Sequence, residues 1–487
     1  MVGGGSAGCV VAGRLAAGGR SVLLLEAGPD LRAVPDASLR NGWSIERESF
    51  DWGYRSAPDG THAQRSLWRK RGLGGTSWLT RFTPRGGLAD FDGWAAKGNV
   101  GWSWDDVLAY FIRAETDVDY GHEPWHGDRG PIPSNRYLDL ALTHAAEVAG
   151  AAAERAGFSW VDDHNSPGAV GVGRMPMSSF DGRRTSTVDA YLPVGATPAG
   201  LTIRCETLVD SIVVAGGCAT GVRTADGAVL DADRVVVCAG VFGSPLLLLR
   251  SGIGSASALE GLEIPVLVDI PGVGENLADH PACTLECGSV TAERAEPALH
   301  LMATFHSEGR PRTETPDVML WIADPVDAIG AETTLDIDIV LLRPQTRGRV
   351  RLRSPDPAAG PIIELPRVDR DADLRRLAEG YHRAVEIAND PAIRAACEGR
   401  AVPEIDTADL RDYLRAESYS IPHTVGTCAM GTDPNDGAVV DAALAVHGIE
   451  RLHVVDASVI PDAPSGFTHL PTIMIAEAFA DRFDRPG

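Results

Sequence analysis

Two rhythms of hydrophobic and polar positions alternate along this chain. Residues 7–17 are small and apolar at helical spacing, and the continuous apolar run Val22–Leu25 predicts a buried strand over 21–26. The stretch 30–70 is mixed and rich in Trp, Arg and Pro, which predicts loops with short elements. Residues 104–115 place Val107, Leu108 and Phe111 on one helical face behind Ser103 as N-cap, and 140–156 read as an Ala-rich helix. Between 200 and 240 the pattern turns to strands, over 201–204, 208–214, 221–224 and 229–238. Val235 to Cys238 is apolar throughout, as in a strand buried on both faces, and it feeds Ala239-Gly240 and a helix over 244–250. Strands over 318–322, 337–342 and 349–352 and helices over 370–389 and 408–415 precede a last strand, 452–455, and helix, 472–482. Parallel-type strands thus come from both ends of the chain. The expected class is α/β (α+β overall), a doubly wound domain with a second domain inserted into it.

Composition narrows the partners. At 487 residues the chain is too long for one core, so two domains are expected. The hydrophobic content of 44% and charged content of 23% are those of an ordinary globular protein. A net charge of −23 argues against nucleic acid or an anionic membrane as partner. No run reaches the ~18 apolar residues of a membrane span. The eight cysteines are too sparse for a disulfide scaffold, and Cys283 and Cys287 read as free buried thiols, with no metal site expected. The expected compartment is cytoplasmic, because the first residues form a nucleotide-type turn and not a leader.

That turn is the first chemical signal. Gly3, Gly5 and Gly8 spell G-x-G-x-x-G, with Ser6 and Ala7 between, and Glu26 closes the following strand. Such glycines allow a tight turn, backbone approach to a pyrophosphate and close helix packing, while the helix N-terminus faces the phosphates. A carboxylate at the position of Glu26 accepts from a ribose hydroxyl, which leaves FAD and NAD open and disfavours NADP. Only Met1 and Val2 precede Gly3, so the first strand is expected to be cut short, or the start to be placed several residues late.

Five separated segments resemble the glucose–methanol–choline (GMC) oxidoreductases. They are Gly3–Gly8 with Glu26-Ala27-Gly28-Pro29; Arg71-Gly72-Leu73-Gly74-Gly75-Thr76-Ser77 with Arg85-Gly86; Ala239-Gly240 through Gly254; Gly272-Val273-Gly274-Glu275-Asn276-Leu277 with Asp279-His280-Pro281; and His423-Thr424-Val425-Gly426-Thr427 followed by Val455-Asp456-Ala457-Ser458 and His469-Leu470-Pro471-Thr472. The resemblance implies a Rossmann-like FAD domain and a substrate domain on an antiparallel sheet. Its domains would be 1–285, with substrate-domain elements near 151–197, then 286–423 and 424–487. It implies that Gly3, Gly5, Ser6, Ala7, Gly8, Glu26 and Ala27 hold the ADP half and that Gly74, Gly75, Thr76 and Ser77 run beside the diphosphate and flavin. Val209 would meet the adenine through its backbone, Asp456 and Ala457 would return to the cofactor, and Pro471 and Thr472 would approach the pyrimidine end of the flavin. Thr80 stands where relatives carry Asn or a covalently bonding His, so non-covalent FAD is expected, and Phe467 replaces a common polar residue.

The implied reaction is oxidation of a small or medium uncharged alcohol, with removal of the hydroxyl proton and hydride transfer to flavin. His423 matches the proton acceptor and His469 its partner, because a histidine is basic near neutral pH. The leading expectation is an alcohol dehydrogenase whose electron acceptor is open among a quinone, a redox carrier and O2; an oxidase using O2 and an FAD-containing lyase of hydroxynitrile lyase type are the alternatives. Asp279 is expected to pair within its own turn and His280 to cap it, His300 and His306 to line the substrate pocket, and His62, His122 and His144 to be solvated.

Overall fold

The computed structural model describes residues 1–34, 37–41, 47–58, 64–397, 401–403 and 405–484. His62 lies outside them. A parallel sheet carries strands in the order Leu201–Arg204, Val22–Leu25, Val235–Val237 and Leu452–Val454. Val2 is the bridge between its halves, paired in parallel with Leu25 on one side and Val237 on the other. Its amide donates to Val236 O at 2.9 Å, and Cys238 N donates back to Val2 O at 2.7 Å. Of the residues before the glycine turn, Val2 is the one that pairs in the sheet. The ammonium of Met1 donates to Leu23 O at 2.8 Å, and burial lowers its pKa.

Helices Ser6–Ala17 and His469–Arg482 pack on this sheet and on each other. Arg14 grips the buried Glu477 across that contact at 2.7 Å, and Tyr191 donates to the same carboxylate.

The second sheet has six antiparallel strands in the order Tyr419–Ser420, Pro281–Thr291, Glu332–Leu341, Val318–Ile322, Leu301–Phe305 and Val172–Arg174. Side chains alternate between its faces. One face, with Leu301, Leu320, Ile337 and Ile339, is sealed by helices Asp371–Ala388 and His144–Arg155. Each such fully buried side chain contributes about 1.5–3 kcal/mol. The other face carries Met302, Met319, Trp321, Val340 and Ala282 and turns toward the nucleotide domain's loops through Phe82 and Phe467.

Several boundaries differ from the sequence reading. The strand expected over 229–238 is two, Val229–Asp231 and Val235–Val237, interrupted by the polar Ala-Asp-Arg turn at 232–234. The helix expected from 140 starts at His144, because the Thr143 hydroxyl accepts from Ala146 N and caps it there. The longest strand, Pro281–Thr291, and the helix Leu88–Ala96 have no counterpart in the sequence reading. The helix Trp104–Ala114 begins with Ser103 as N-cap and Asp106 closing the capping box.

A buried ion cluster ties the loops between the two sheets. Arg85 donates to Glu115 at 2.9 Å, Arg136 to Asp117 at 2.9 Å and to Asp163 at 2.6 Å. His126 bridges Glu115 and Asp163 at 2.8 and 2.9 Å, and these carboxylates raise its pKa to about 9 against the cost of burial. Glu115, Asp117 and His126 lie close enough together to ligate one ion. Within the cluster the two carboxylates meet Arg85, Arg136 and imidazolium His126, of which Arg136 and His126 also pair with Asp163, and Arg136 with Asp119.

Candidate active site

The cofactor side is made of backbone. Gly3 has φ +96°, and a Cβ on Gly8 would lie 2.0 Å from Gly3 O. Gly5 opens the helix Ser6–Ala17 with no side chain over its N-terminus. The second glycine turn presses directly on the first: Gly74 N donates to Gly4 O at 2.7 Å, and a Cβ on Gly75 would stand 2.7 Å from Gly5 Cα. Glu26 is 6% exposed and accepts from Gly4 N at 2.8 Å and Gly28 N at 2.9 Å. Burial raises its pKa and those amides oppose the rise. Each carboxylate oxygen keeps a lone pair for a hydroxyl. Beside it opens a cleft of about 340 Å³ lined by Ala27, Gly28, Phe50, Asp51, Arg71 and Glu206. An open helix N-terminus, glycine backbone in contact and a carboxylate at a cleft fit the ADP half of a dinucleotide.

Ser6 and Thr76 are half-buried and Ala7 is buried on the helix. Other expected contacts are occupied within the protein. The Ser77 hydroxyl donates to Gly74 O and accepts from Thr187 N and Oγ1, and the Thr80 hydroxyl donates to Ser77 O. Asp456 accepts from Gly240 N, the Ser244 hydroxyl and Ser458 N, so it staples two turns together, with Ala457 half-buried next to it. Val209 is buried where its strand leaves the nucleotide domain, and Pro471 and Thr472 are buried in the first turn of the C-terminal helix.

The catalytic side centres on His423. Its amide donates to Asp279 Oδ1 at 2.9 Å, and its Nδ1 lies 3.1 Å from Nδ1 of His280 with the rings at 88°. Asp279 also accepts from His280 N and the Ser420 hydroxyl, so it spans to the 420–423 segment and does not pair only within its own turn. Burial pushes its carboxyl up to about 6. His280 is likewise not a mere turn cap, since its ring engages that of His423. Burial lowers the pKa of His280 to about 4 and that of His423 well below the usual range, with His280 and Arg69 adding to the effect on His423. Both are neutral at pH 7, and His423 retains a partly exposed edge.

His469 opens the C-terminal helix, 6% exposed, with its Nε2 unpartnered and its pKa lowered to about 4 by burial and then by Arg184. No hydrogen bond joins it to His423 among the described residues. The ring packed on His423 is Phe467, at 4.3 Å between centroids. Phe467 meets Phe82 edge-to-face (5.8 Å) and Trp321 at a tilt (5.8 Å), and His300 packs on both of the latter. His300 accepts from Asp324 N and lies against the Arg81 guanidinium. His306 is turned away, bonded through Nε2 to Glu314 O at 2.9 Å, so only one of the two expected pocket histidines lines this face. His122 and His144 are exposed. Phe82, Met302, Met319 and Trp321 went unnoticed in the sequence. The period-2 spacing of Met302, Met319 and Trp321 on their strands was the available signal.

The sequence profile of the GMC oxidoreductase N-terminal region matches residues 1–282, and that of the C-terminal region matches 344–476. The chain belongs to the GMC oxidoreductases. These are FAD enzymes acting on CH–OH groups, and FAD is the cofactor of this chain. An oxygen-dependent choline dehydrogenase of Pseudomonas fluorescens (strain Pf0-1) is 34% identical, over 99% of this chain and 92% of its own length. A 5-(hydroxymethyl)furfural oxidase of Methylovorus sp. (strain MP688) is 32% identical over 99% and 97%. The crystal structure of a pyridoxine 4-oxidase from Mesorbium loti superposes with a TM-score of 0.89 at 29% identity, covering 100% of this chain and 99% of that one. Among the described residues no helix is long and apolar enough to cross a membrane.

Proposed function

We propose that this GMC oxidoreductase oxidises an uncharged alcohol on a flat or apolar body, with His423 as base and O2 as electron acceptor. The observation that carries the reading is the His423–His280 contact. Two neutral imidazoles meeting through Nδ1 need one proton between them. With His423 Nδ1–H donating to His280 Nδ1, the lone pair of His423 Nε2 is left to take the hydroxyl proton. Asp279 holds the backbone of His423 in place. His469, with its unpartnered Nε2, would hydrogen-bond the oxygen of the alcohol as that proton leaves. FAD, when bound, supplies the acceptor for the hydride. Phe82, Trp321 and Phe467 would orient the body of the substrate and keep water from it. Glycines 3, 5, 8, 74 and 75 and Glu26 would hold FAD without a covalent bond, Thr80 offering no ring nitrogen for one. The division into 1–285, 286–423 and 424–487 accompanies this assignment with its first boundary drawn back to 280, because the strand Pro281–Thr291 lies whole in the second sheet. Oxygen is preferred as acceptor because the relatives above are named as oxygen-dependent or as oxidases.

One observation favours a second substrate class. Asp338 sits on the pocket face opposite Trp321 and accepts from Thr284 and Tyr419, yet makes no ion pair among the described residues. A cationic alcohol would supply one.

The test is an anaerobic panel of benzyl alcohol, furan-methanol and choline, read as bleaching of flavin absorbance, with peroxide measured in air. Rapid bleaching by the neutral aromatic alcohols and peroxide in step with product are expected. In His423→Ala, flavin is retained and bleaching slows at least ~100-fold, the usual scale for losing a general base. An unchanged rate would remove His423 as base. Preference for choline would move the assignment to Asp338, and turnover of dye without peroxide would make the enzyme a dehydrogenase. An alcohol-independent product without bleaching would point to a lyase.

A further inference from the structure

On a chain of net charge −23, five guanidinium groups converge around one cleft of about 440 Å³. Arg310, Arg343, Arg347, Arg370 and Arg376 line it together with a single carboxylate, Asp462. They come from separate parts of the chain: the loop after Leu301–Phe305, the segment after Glu332–Leu341, and the first turns of the helix Asp371–Ala388.

Four of the five guanidiniums are held in place by ion pairs, which fix the orientation of their forks around the cleft. Asp90 pairs with Arg343 at 2.7 Å while accepting from Gly87 N, Ser465 N and Thr315 Oγ1. Asp373 pairs with Arg376 while accepting from the amides of Gln345 and Thr346. Arg347 holds Asp462 at 3.0 Å. Arg343 uses only Nη1, toward Asp90 and Ala463 O, so the rest of its fork faces the cleft. Arg310 is paired through Nη2 with the half-exposed Glu314 and through Nε with Thr315 O. The Arg370 side chain has no hydrogen bond or ion pair among the described residues, and it stands at the N-cap of an 18-residue helix whose end carries no side-chain cap. Burial lowers the pKa of Arg310, with Asp317 and Glu314 opposing it more than Arg343 and Arg376 add to it.

We propose that this cleft binds a small, multiply charged oxyanion: a phosphate or phosphate monoester, or a tricarboxylate of similar span. Guanidinium forks match such oxygens two at a time, and several forks around one volume favour a ligand with three or more anionic oxygens over chloride or a monocarboxylate. The cleft shares no residue with the His423–Phe467 cluster, but it adjoins it. Ala463 O is bound by Arg343, and Asp90 holds both Arg343 and the amide of Ser465, two residues before Phe467. An anion that draws on Arg343 therefore acts on the segment leading to Phe467.

The test is calorimetric titration of the flavin-loaded protein with inorganic phosphate and, separately, citrate, at constant ionic strength set by chloride. The doubly substituted Arg310→Gln/Arg370→Gln chain is the variant, because Arg370 pairs with no carboxylate among the described residues and the buried Asp317, 3.9 Å from Arg310, keeps Arg376 at 3.3 Å. Arg129→Gln, at an exposed arginine elsewhere, is the control. One-to-one saturable binding is expected, at least tenfold weaker in the double variant and unchanged in Arg129→Gln. Preference for phosphate or for citrate tells the two sources apart. Absence of saturable binding to either, or binding indifferent to the double substitution, overturns the proposal. Flavin bleaching by alcohol is read separately, so failure of this site leaves the catalytic reading standing, and the reverse.

Discussion

At the scale of single residues, the proposed site keeps its histidines uncharged. A base must be deprotonated to accept a proton, and burial together with Arg69 and the neighbouring imidazole pushes the His423 pKa down. The acid limb of kcat/KM is therefore expected below pH 6.5, with a plateau across neutral pH. Steady-state rates from pH 4.5 to 9 check this, and a limb centred above 6.5 would contradict the neutral pair. His423, His469 and Glu26 were legible in the sequence because each sits in a motif that names its position. His280 was misjudged because the DHP segment looks like a turn. Only the fold brings its ring 3.1 Å from a residue 143 positions away. Ser77 and Asp456 lie where the motifs place them, yet their polar atoms satisfy protein partners, which spacing alone does not reveal.

At the scale of elements, the glycine turns at 3–8 and 74–75 form one device made from two distant segments. Gly75 has φ +51° and no room for a Cβ against Gly5. Gly75→Ala would cost roughly 1–2 kcal/mol in backbone conformation alone and would force the two turns apart. The expected result is a chain that elutes folded from gel filtration, with unchanged far-UV dichroism and a ratio of flavin to protein near zero. Full flavin content would mean that the contact between the turns is dispensable. The parallel strands were readable as continuous apolar runs, and the capped helix at 104–114 as a helical stripe. The strand Pro281–Thr291 was not readable, because Thr284, Glu286 and Ser289 interrupt its apolar positions on the pocket side. The sequence there serves the cavity as well as the core.

At the scale of the whole molecule, the ion cluster of Arg85, Glu115, Asp117, His126, Arg136 and Asp163 couples stability to pH. His126 titrates near 9 when folded and at its ordinary 6.5 when unfolded. Its contribution is therefore complete below about 6.5 and is lost as pH rises through 9. Asp163, held well below its ordinary value by His126 and Arg136, loses its contribution only in strong acid. Melting temperature measured from pH 6 to 9.5 should fall across that interval, and His126→Gln should flatten the slope while lowering stability at pH 6 by about 3–5 kcal/mol, the usual effect of breaking a buried pair. An equal slope in the variant would place the titration elsewhere. This cluster escaped the sequence reading because its members are scattered over 79 positions and carry no shared motif.

The six-stranded sheet has a consequence for how such an enzyme changes over generations. Neighbouring residues along Val318–Ile322 and Glu332–Leu341 answer to different constraints: Leu320 and Ile339 are sealed beneath helices, while Met319, Trp321 and Asp338 face the cavity. Selection for a new alcohol can work on every second codon and leave the intervening ones, and with them the folded state, almost untouched. The same two strands thus provide an inheritance in two interleaved registers, one conservative and one free to vary.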